Sequence, residues 1–146
     1  MAETSKEEEE LRKLSVELRF LEQTAETLQQ RISIITAAIT DLTYANMALE
    51  GIEHEKEDSE LLVPIGGSSY VKVKLSNPDK VVVGIGSGVS VEKTLPEAKS
   101  IVKERVDELE KTIKSAQQQF AQVANRITAG RNRLENLLTK VREGKT

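Results

Sequence analysis

Two long apolar repeats, one in each half of the chain, constrain what this sequence can fold into more than any other feature. In the first half, apolar residues recur at alternating steps of three and four from Leu11 to Leu49. In the second half the same spacing runs from Val102 to Val141. A repeat sustained over this length places one apolar seam along a helix and is the a/d pattern of a coiled coil. The sequence therefore predicts two long helices that bury their seams against each other.

Asn46 in the first seam and Gly130 in the second depart from the apolar pattern. Asn46 at an a position is expected to specify the register at some loss of stability, and Gly130 at a d position is expected to face the segment from Leu21 to Ala25, which would thin the seam and loosen the helix ends. The first seam consists of Leu11, Leu14, Leu18, Leu21, Ala25, Leu28, Ile32, Ile35, Ile39, Leu42, Asn46 and Leu49. The second consists of Val102, Val106, Leu109, Ile113, Ala116, Phe120, Val123, Ile127, Gly130, Leu134, Leu137 and Val141.

The segment between the helices has the composition of short strands. Leu61–Ile65, Tyr70–Leu75, Val81–Val83 and Val89–Val91 are apolar or alternating runs separated by glycine-rich or Asn-Pro turns, which predicts four strands in two hairpins, with Pro64 at an edge or a bulge. Hairpins keep their ends close together, so the two helices are predicted to pair antiparallel. The chain is thus predicted to form one α+β domain: an N-terminal helix in residues 1–52 with a frayed lead-in over 1–10, hairpins in 53–95, and a helix in 96–146.

Four short strands cannot bury both of their faces within one chain, and Val81–Val83 has no polar face to offer to water. Unpaired strand edges also invite pairing with other chains. We therefore predict an obligate oligomer assembled through the hairpins. Its interface is expected to include Leu61, Val63, Ile65, Val71, Val73, Val81, Val83, Ile85, Val89 and Val91.

The sequence contains none of the residue sets that an enzyme needs. Cysteine is absent, which excludes disulfides, thiolate nucleophiles and cysteine metal sites. The Gly84-x-Gly86-x-Gly88 run leads into a strand rather than a helix, so a hairpin turn is favoured over a dinucleotide site. His54 is the only histidine and lies in an acidic linker. We predict no catalytic residues, no cofactor and no metal.

Charge and hydropathy limit the partners and the cellular location that can be expected for the chain. The formal net charge is −3, so broad phosphate binding is not favoured. An acidic start and the lack of an apolar run long enough to span a bilayer predict a soluble, intracellular protein with no signal peptide and no membrane partner. A basic end of the second helix leaves a nucleic-acid arm open as a minor alternative. Its residues are Arg126, Arg131, Arg133, Lys140 and Arg142.

Some apolar residues lie outside the seams. Val16 and Phe20 at f and c positions, and Leu138 at an e position, cluster near the helix ends. They are either stray surface residues or an exposed apolar binding surface, and both interpretations stay open at this point. Four others, nearer the hairpins, are predicted to pack against the strands. These are Ile34, Tyr44, Met47 and Ile101.

The order helix, two hairpins, helix resembles prefoldin, and the hairpin motifs are specific for its alpha class. They are the Val63-Pro64-Ile65-Gly66-Gly67 turn and the later Gly84-Ile85-Gly86 turn. The resemblance implies that two alpha and four beta subunits join through their strands into a β-barrel from which helix pairs extend. It also implies a cytosolic chaperone that holds non-native polypeptides without ATP and passes them to a group II chaperonin.

On this resemblance the apolar residues near the helix ends are expected to contact unfolded polypeptides. They are Leu11, Leu14, Val16, Phe20, Leu134, Leu137, Leu138 and Val141. A coiled-coil tether or scaffold without chaperone activity is the alternative, since it too needs only helices and an oligomer. No nucleic-acid partner is expected.

Overall fold

Two long helices flank four strands in the computed structural model, which describes residues 2–144 and the side chains of residues 5–144. The helices are α1 (Ala2–Glu53) and α2 (Leu95–Gly144). The strands between them are β1 (Glu60–Gly66), β2 (Ser69–Lys74), β3 (Lys80–Gly86) and β4 (Val89–Thr94). The predicted fold class is confirmed: two long helices with two antiparallel hairpins between them.

The chain divides into two compact units. One unit, called the helical unit, comprises Met1–Thr36 and Lys111–Thr146. The other, called the hairpin unit, comprises Ala37–Glu110 and contains all four strands.

Contacts in the helical unit show that α1 and α2 run antiparallel. Arg133 of α2 pairs with Glu10 of α1, and the Arg131 Nη2 atom lies 2.9 Å from the Glu22 Oε1 atom. Residues early in α1 therefore meet residues late in α2. In the hairpin unit the Lys99 Nζ atom lies 2.8 Å from the Glu53 Oε2 atom. This ion pair joins the end of α1 to the start of α2, which is also the contact expected of antiparallel helices.

Burial follows the predicted seams. All twelve seam positions of each helix are buried or half-buried, among them Leu18 and Ile35 in α1 and Ile127 in α2. The α2 seam also extends further toward the strands than the repeat suggested, because Leu95 and Ala98 are 6% and 0% exposed. A seam of buried aliphatic side chains is the main source of stability for a pair of long helices.

A capping box starts α2. The Glu97 amide donates to the Thr94 hydroxyl and the Thr94 amide donates to the Glu97 carboxylate, both at 3.3 Å. This reciprocal pair satisfies two amides that have no partner inside a helix. Thr94 is therefore the N-cap of α2, which begins at Leu95, one residue before Pro96.

Two predictions about the helix ends are wrong. α1 begins at Ala2, so residues 2–10 are helical rather than a frayed lead-in. Gly130 does not face the segment from Leu21 to Ala25: a Cβ atom built on it would lie 2.6 Å from the Leu18 Cδ2 atom and 3.8 Å from the Leu14 Cδ1 atom. α1 extends beyond Leu11, and the two helices are not aligned with the ends of their apolar repeats opposite each other.

The two hairpins repeat one structure. In the first, Glu60 pairs with Lys74 and the register shifts between Pro64 and Gly66. In the second, Lys80 pairs with Thr94 and the same shift occurs between Gly84 and Gly86. The predicted bulge at Pro64 is confirmed. Gly66 and Gly86 have φ angles of 104° and 112°, a region that side chains strongly disfavour, so glycine is required at the start of both turns.

The Glu53–Lys99 ion pair makes a pH-dependent contribution to stability. The hydrogen bond from Lys99 lowers the pKa of Glu53 below its ordinary 4.5, and the same bond raises the pKa of Lys99 above its ordinary 10.5. The stabilisation is therefore complete between the two ordinary pKa values, 4.5 and 10.5. It is lost as the pH falls through the lowered Glu53 pKa or rises through the raised Lys99 pKa.

We expect Lys99→Met to lower the melting temperature slightly at neutral pH, because exposed ion pairs contribute little. The difference from the unsubstituted chain should shrink as the pH falls through the lowered Glu53 pKa, because the ion pair is lost once the carboxylate is protonated. Thermal unfolding followed by circular dichroism over a series of pH values from neutral downward checks this. Lys103→Met, one turn later in α2, is the control and should show no such pH dependence.

Candidate interaction surfaces

The predicted oligomer-interface residues form an incompletely covered apolar surface on the hairpins. Five of them are half-buried and five are exposed. The half-buried residues are Leu61, Val73, Val81, Val83 and Val91. The exposed ones are Val63, Ile65, Val71, Ile85 and Val89. Val63 and Val71 are direct cross-strand partners and are 43% and 44% exposed, so both strands of the first hairpin contribute to this surface.

Three further apolar side chains on the strands were missed by the sequence analysis. Leu62, Tyr70 and Val82 are 62%, 60% and 73% exposed. Successive residues of a strand point to opposite faces, so β1 and β3 present apolar side chains on both of their faces. The signal for Val82 was present in the sequence, since Val81–Val83 is apolar throughout. Hairpins that are apolar on both faces are poorly suited to remaining alone in water.

The residues predicted to bind unfolded polypeptides divide into two groups in the helical unit. Three project outward: Val16 is 64% exposed, Phe20 is 66% exposed and Leu138 is 39% exposed. The other five belong to the seams. Leu137 and Val141 are buried, and Leu11, Leu14 and Leu134 are half-buried. Val16, Phe20 and Leu138 are therefore accessible on the helix surface, Leu11, Leu14 and Leu134 only in part, and Leu137 and Val141 hardly at all.

Off-seam residues nearer the strands are exposed rather than packed. Ile34, Tyr44 and Met47 are 71%, 65% and 59% exposed, so the expectation that they pack against the strands is wrong. They lie outside the seam, and one partner helix covers only a single stripe of α1. Ile101 of α2 is half-buried.

The glycine-rich run, the single histidine and Asn46, which the sequence analysis singled out, either have structural roles or are exposed or half-buried. Gly86 and Gly88 belong to the β3–β4 turn, which confirms a hairpin at the glycine-rich run. His54 is exposed in the turn after α1. Asn46 is half-buried and its amide bonds to Glu50 of its own helix at 3.4 Å, so its role in register stays a prediction. Among the described residues, no group of three or more His, Asp or Glu side chains could hold a metal ion.

One helix is long and apolar enough to cross a membrane by length and composition alone. Residues Ser5–Glu53 of α1 contain an 18-residue window with a mean hydropathy of 1.3, of which 6% is buried. The finding is weak, because other kinds of helix pass the same test. Within this helix Ile32, Ile35 and Ile39 follow the seam spacing and are buried or half-buried, whereas Ile34, Tyr44 and Met47 lie outside the seam and are exposed.

The comparisons with known proteins agree with this architecture. A model of the family described as "Prefoldin subunit" matches residues 21–140, which include both hairpins and most of both helices. The chain belongs to the prefoldin family. This prefoldin chain is also similar to alpha subunits in particular, as its hairpin motifs predicted.

Several curated relatives of this prefoldin chain are named prefoldin subunit alpha. The relative from Methanosarcina mazei is 32% identical and the alignment covers 99% of both chains. The relative from Methanococcoides burtonii is 31% identical over 88% of this chain and 92% of that protein. The cryo-EM structure of filamentous PFD from Methanocaldococcus jannaschii superimposes with a TM-score of 0.67 at 26% identity, covering 77% of this chain and 93% of that one. Membership in this family implies a chaperone role and assembly with other prefoldin subunits.

Proposed function

We propose that this prefoldin chain is the alpha-type subunit of an ATP-independent holdase, which binds non-native polypeptides at the ends of its helix pair. The observation that carries the proposal is that Val16, Phe20 and Leu138 are exposed on the helix surface, whereas the neighbouring seam residues are buried or half-buried. Apolar side chains held on rigid helices can contact unfolded chains without further folding. Several such helix pairs in one complex would add avidity to individually weak contacts.

Assembly is proposed to occur through the hairpins. The exposed apolar faces of β1 and β3 support an oligomeric β-barrel built with beta-type prefoldin subunits, in a complex of two alpha and four beta chains. Val63, Val71 and the other hairpin residues described above would be covered in that barrel. Delivery of the bound polypeptide to a group II chaperonin, in the cytoplasm and without nucleic-acid or membrane partners, completes the proposal.

A structural scaffold without chaperone activity is the second candidate. It is favoured by one observation, the similarity to a structure described as filamentous. A filament or tether would use the same hairpin contacts but would not need Val16, Phe20 and Leu138. The two candidates therefore differ in what the exposed helix residues do.

The test is suppression of aggregation by the complete complex. Replacing Val16, Phe20 and Leu138 together by serine is expected to weaken protection of guanidinium-denatured luciferase by about tenfold or more, because a loss of about 1.4 kcal/mol in binding is already tenfold. Light scattering during dilution of the luciferase measures the protection. Native mass spectrometry should show an unchanged complex, since these residues lie outside the hairpins.

A matched variant removes the same number of exposed apolar residues elsewhere on α1, namely Ile34, Tyr44 and Met47, each replaced by serine. It should protect luciferase as well as the unsubstituted chain. Full protection by the V16S/F20S/L138S complex would overturn the holdase proposal at these residues. Equal loss in both variants would show that general surface hydrophobicity, rather than this site, is responsible. Loss in the first variant alone would also show that the five seam residues are not sufficient for binding.

A further inference from the structure

Positively charged side chains predominate around Val16 on the exposed face of α1. Within one turn of Val16 in either direction there are three basic residues and one acidic residue, namely Arg12, Lys13, Arg19 and Glu17. Arg12, Val16 and Arg19 follow one another at steps of four and three, so their side chains are neighbours on the helix surface. All five side chains are exposed, so this excess of positive charge faces the solvent.

Arg12 and Arg19 are available to bind a carboxylate from outside the helix pair. Within residues 5–144, no carboxylate lies at ion-pair distance from either guanidinium group. Lys13 differs from them, because its Nζ atom lies 3.8 Å from the Glu9 Oε1 atom. The two arginines are therefore the basic groups of this surface that have no carboxylate partner in the described part of the chain.

Other carboxylates of this part of α1 are engaged by α2. Glu10 pairs with Arg133, and the Glu22 Oε1 atom lies 2.9 Å from the Arg131 Nη2 atom. Both ion pairs join the two helices on the flanks of the seam. These carboxylates are therefore occupied, and the charge of the two arginines beside Val16 is not neutralised by them.

The third exposed apolar residue of the proposed binding surface has a balanced neighbourhood. Leu138 has Glu135 three residues before it and Arg142 four residues after it. The whole chain has a formal net charge of −3, so the excess around Val16 is local. At physiological salt, exposed charges more than about 8 Å apart are largely screened from each other. A polypeptide bound at Val16 therefore responds to the adjacent arginines rather than to the net charge.

We propose that the surface formed by Arg12, Val16, Arg19 and Phe20, called the Val16 surface, selects non-native segments that carry aspartate or glutamate beside apolar side chains. The apolar side chains would contact Val16 and Phe20. The carboxylates would bind Arg12 and Arg19, because the planar guanidinium group matches a carboxylate in shape and charge. The inference rests on the proposed holdase function and adds the class of segment that is bound.

Helix geometry also defines the spacing that such a segment needs. Arg12 and Arg19 are seven residues apart, which is about 10 Å along the helix axis at about 1.5 Å per residue. An extended segment covers that distance in about three residues, at about 3.3 Å per residue. Two acidic residues about three positions apart, with apolar residues between them, would therefore reach both arginines while an apolar side chain contacts Val16.

Three fluorescently labelled, unstructured peptides test this selection. They share the same leucine and phenylalanine positions and carry aspartate, asparagine or lysine between them. Fluorescence anisotropy measures their binding to the complete complex formed with a beta-type subunit. The aspartate peptide should bind about threefold or more tightly than the asparagine peptide, since each exposed ion pair contributes little but several act together, and the lysine peptide should bind most weakly. This preference should fade at about 1 M salt, where the Debye length is about 3 Å.

Substitution of the two arginines shows whether they cause the preference. Arg12→Gln combined with Arg19→Gln should weaken binding of the aspartate peptide about threefold and leave binding of the asparagine peptide unchanged. Arg12→Lys combined with Arg19→Lys keeps both charges and should retain most of the preference. The matched control is Arg31→Gln combined with Lys111→Gln, which removes two exposed positive charges more than one turn from Val16. It should retain the full preference, and native mass spectrometry should show an unchanged complex for every variant.

Equal binding of the aspartate and asparagine peptides, or no binding of either, would overturn the charge selection. A preference that R12Q/R19Q leaves unchanged, or that the control variant loses equally, would also overturn it. Failure of the holdase proposal gives a different result, because V16S/F20S/L138S would then protect luciferase fully. If that variant loses protection while the three peptides bind equally to the unsubstituted complex, the holdase proposal stands and the charge selection falls.

Discussion

Replacing Leu18 with alanine is expected to lower the free energy of unfolding by about 2–5 kcal/mol, the range for truncating a buried leucine. Leu18 is 6% exposed, and its side chain occupies the space that Gly130 leaves open on the opposite helix. Truncation would leave a cavity between two backbones that cannot readily collapse. Urea unfolding followed by circular dichroism, at one fixed protein concentration, measures the loss.

The reciprocal change should also destabilise the helix pair. A leucine at position 130 would overlap Leu18, because even its Cβ atom would lie 2.6 Å from the Leu18 Cδ2 atom. Overpacking of this kind costs about 1–3 kcal/mol, partly offset by about 1 kcal/mol gained when glycine leaves a helix interior.

The double variant L18A/G130L moves the leucine from one helix to the other and should be more stable than the sum of the single effects predicts, by about 1–3 kcal/mol. Strict additivity would contradict the contact. Val16→Ala serves as a control, because that side chain is exposed and its loss should change stability little.

Placing a carboxylate on the hairpin surface is expected to abolish assembly. Val63 and Val71 are direct cross-strand partners on the partly exposed apolar face, which the proposed barrel would cover. Val63→Asp would carry an unpaired charge into that interface at a cost of several kcal/mol, enough to dissociate a complex held together at micromolar concentration. Size-exclusion chromatography with light scattering, after mixing with a beta-type subunit, measures the loss.

Ser68→Asp is the matched control for this substitution. It introduces the same charge into the same hairpin, but in the exposed turn, where the φ angle of 60° is one that aspartate tolerates. This variant should assemble normally. Assembly of V63D at the concentration that suffices for the unsubstituted chain would contradict the interface. Circular dichroism of both variants would verify that the helices remain folded.

The elements of this fold could be predicted from the sequence because each has a local signal. The a/d spacing predicted both helices and the positions that they bury, and the turn glycines with Pro64 predicted two hairpins and a bulge. The partner of Gly130 could not be predicted, because the alignment of two helices depends on where both of them start and α1 starts earlier than its apolar repeat. The exposure of Tyr44 and Met47 was missed for a related reason: apolar character does not reveal whether a neighbour is present.

The candidate surfaces also combine features that local sequence predicts with features that depend on tertiary contacts. Val16, Phe20 and Leu138 were identified from their helical phase alone, since a residue outside the seam of a two-helix pair has no second helix to cover it. Leu11, Leu14 and the seam residues near the end of α2 were grouped with them by position along the chain. The structure shows how far exposure differs within that group: Leu137 and Val141 are buried, whereas Val16 and Phe20 are 64% and 66% exposed.

Periodicity, turn chemistry and composition were sufficient to predict the helices, the hairpins, the antiparallel pairing and the absence of a disulfide or thiolate site, because each of these follows from local sequence or residue content. The tertiary structure alone decided that Leu18 fills the space beside Gly130 and that Arg105 occupies the Gly84 carbonyl. Both are contacts between residues far apart in the chain, so no local pattern encodes them. They depend on how two helices align and how a hairpin packs on the helix that follows it.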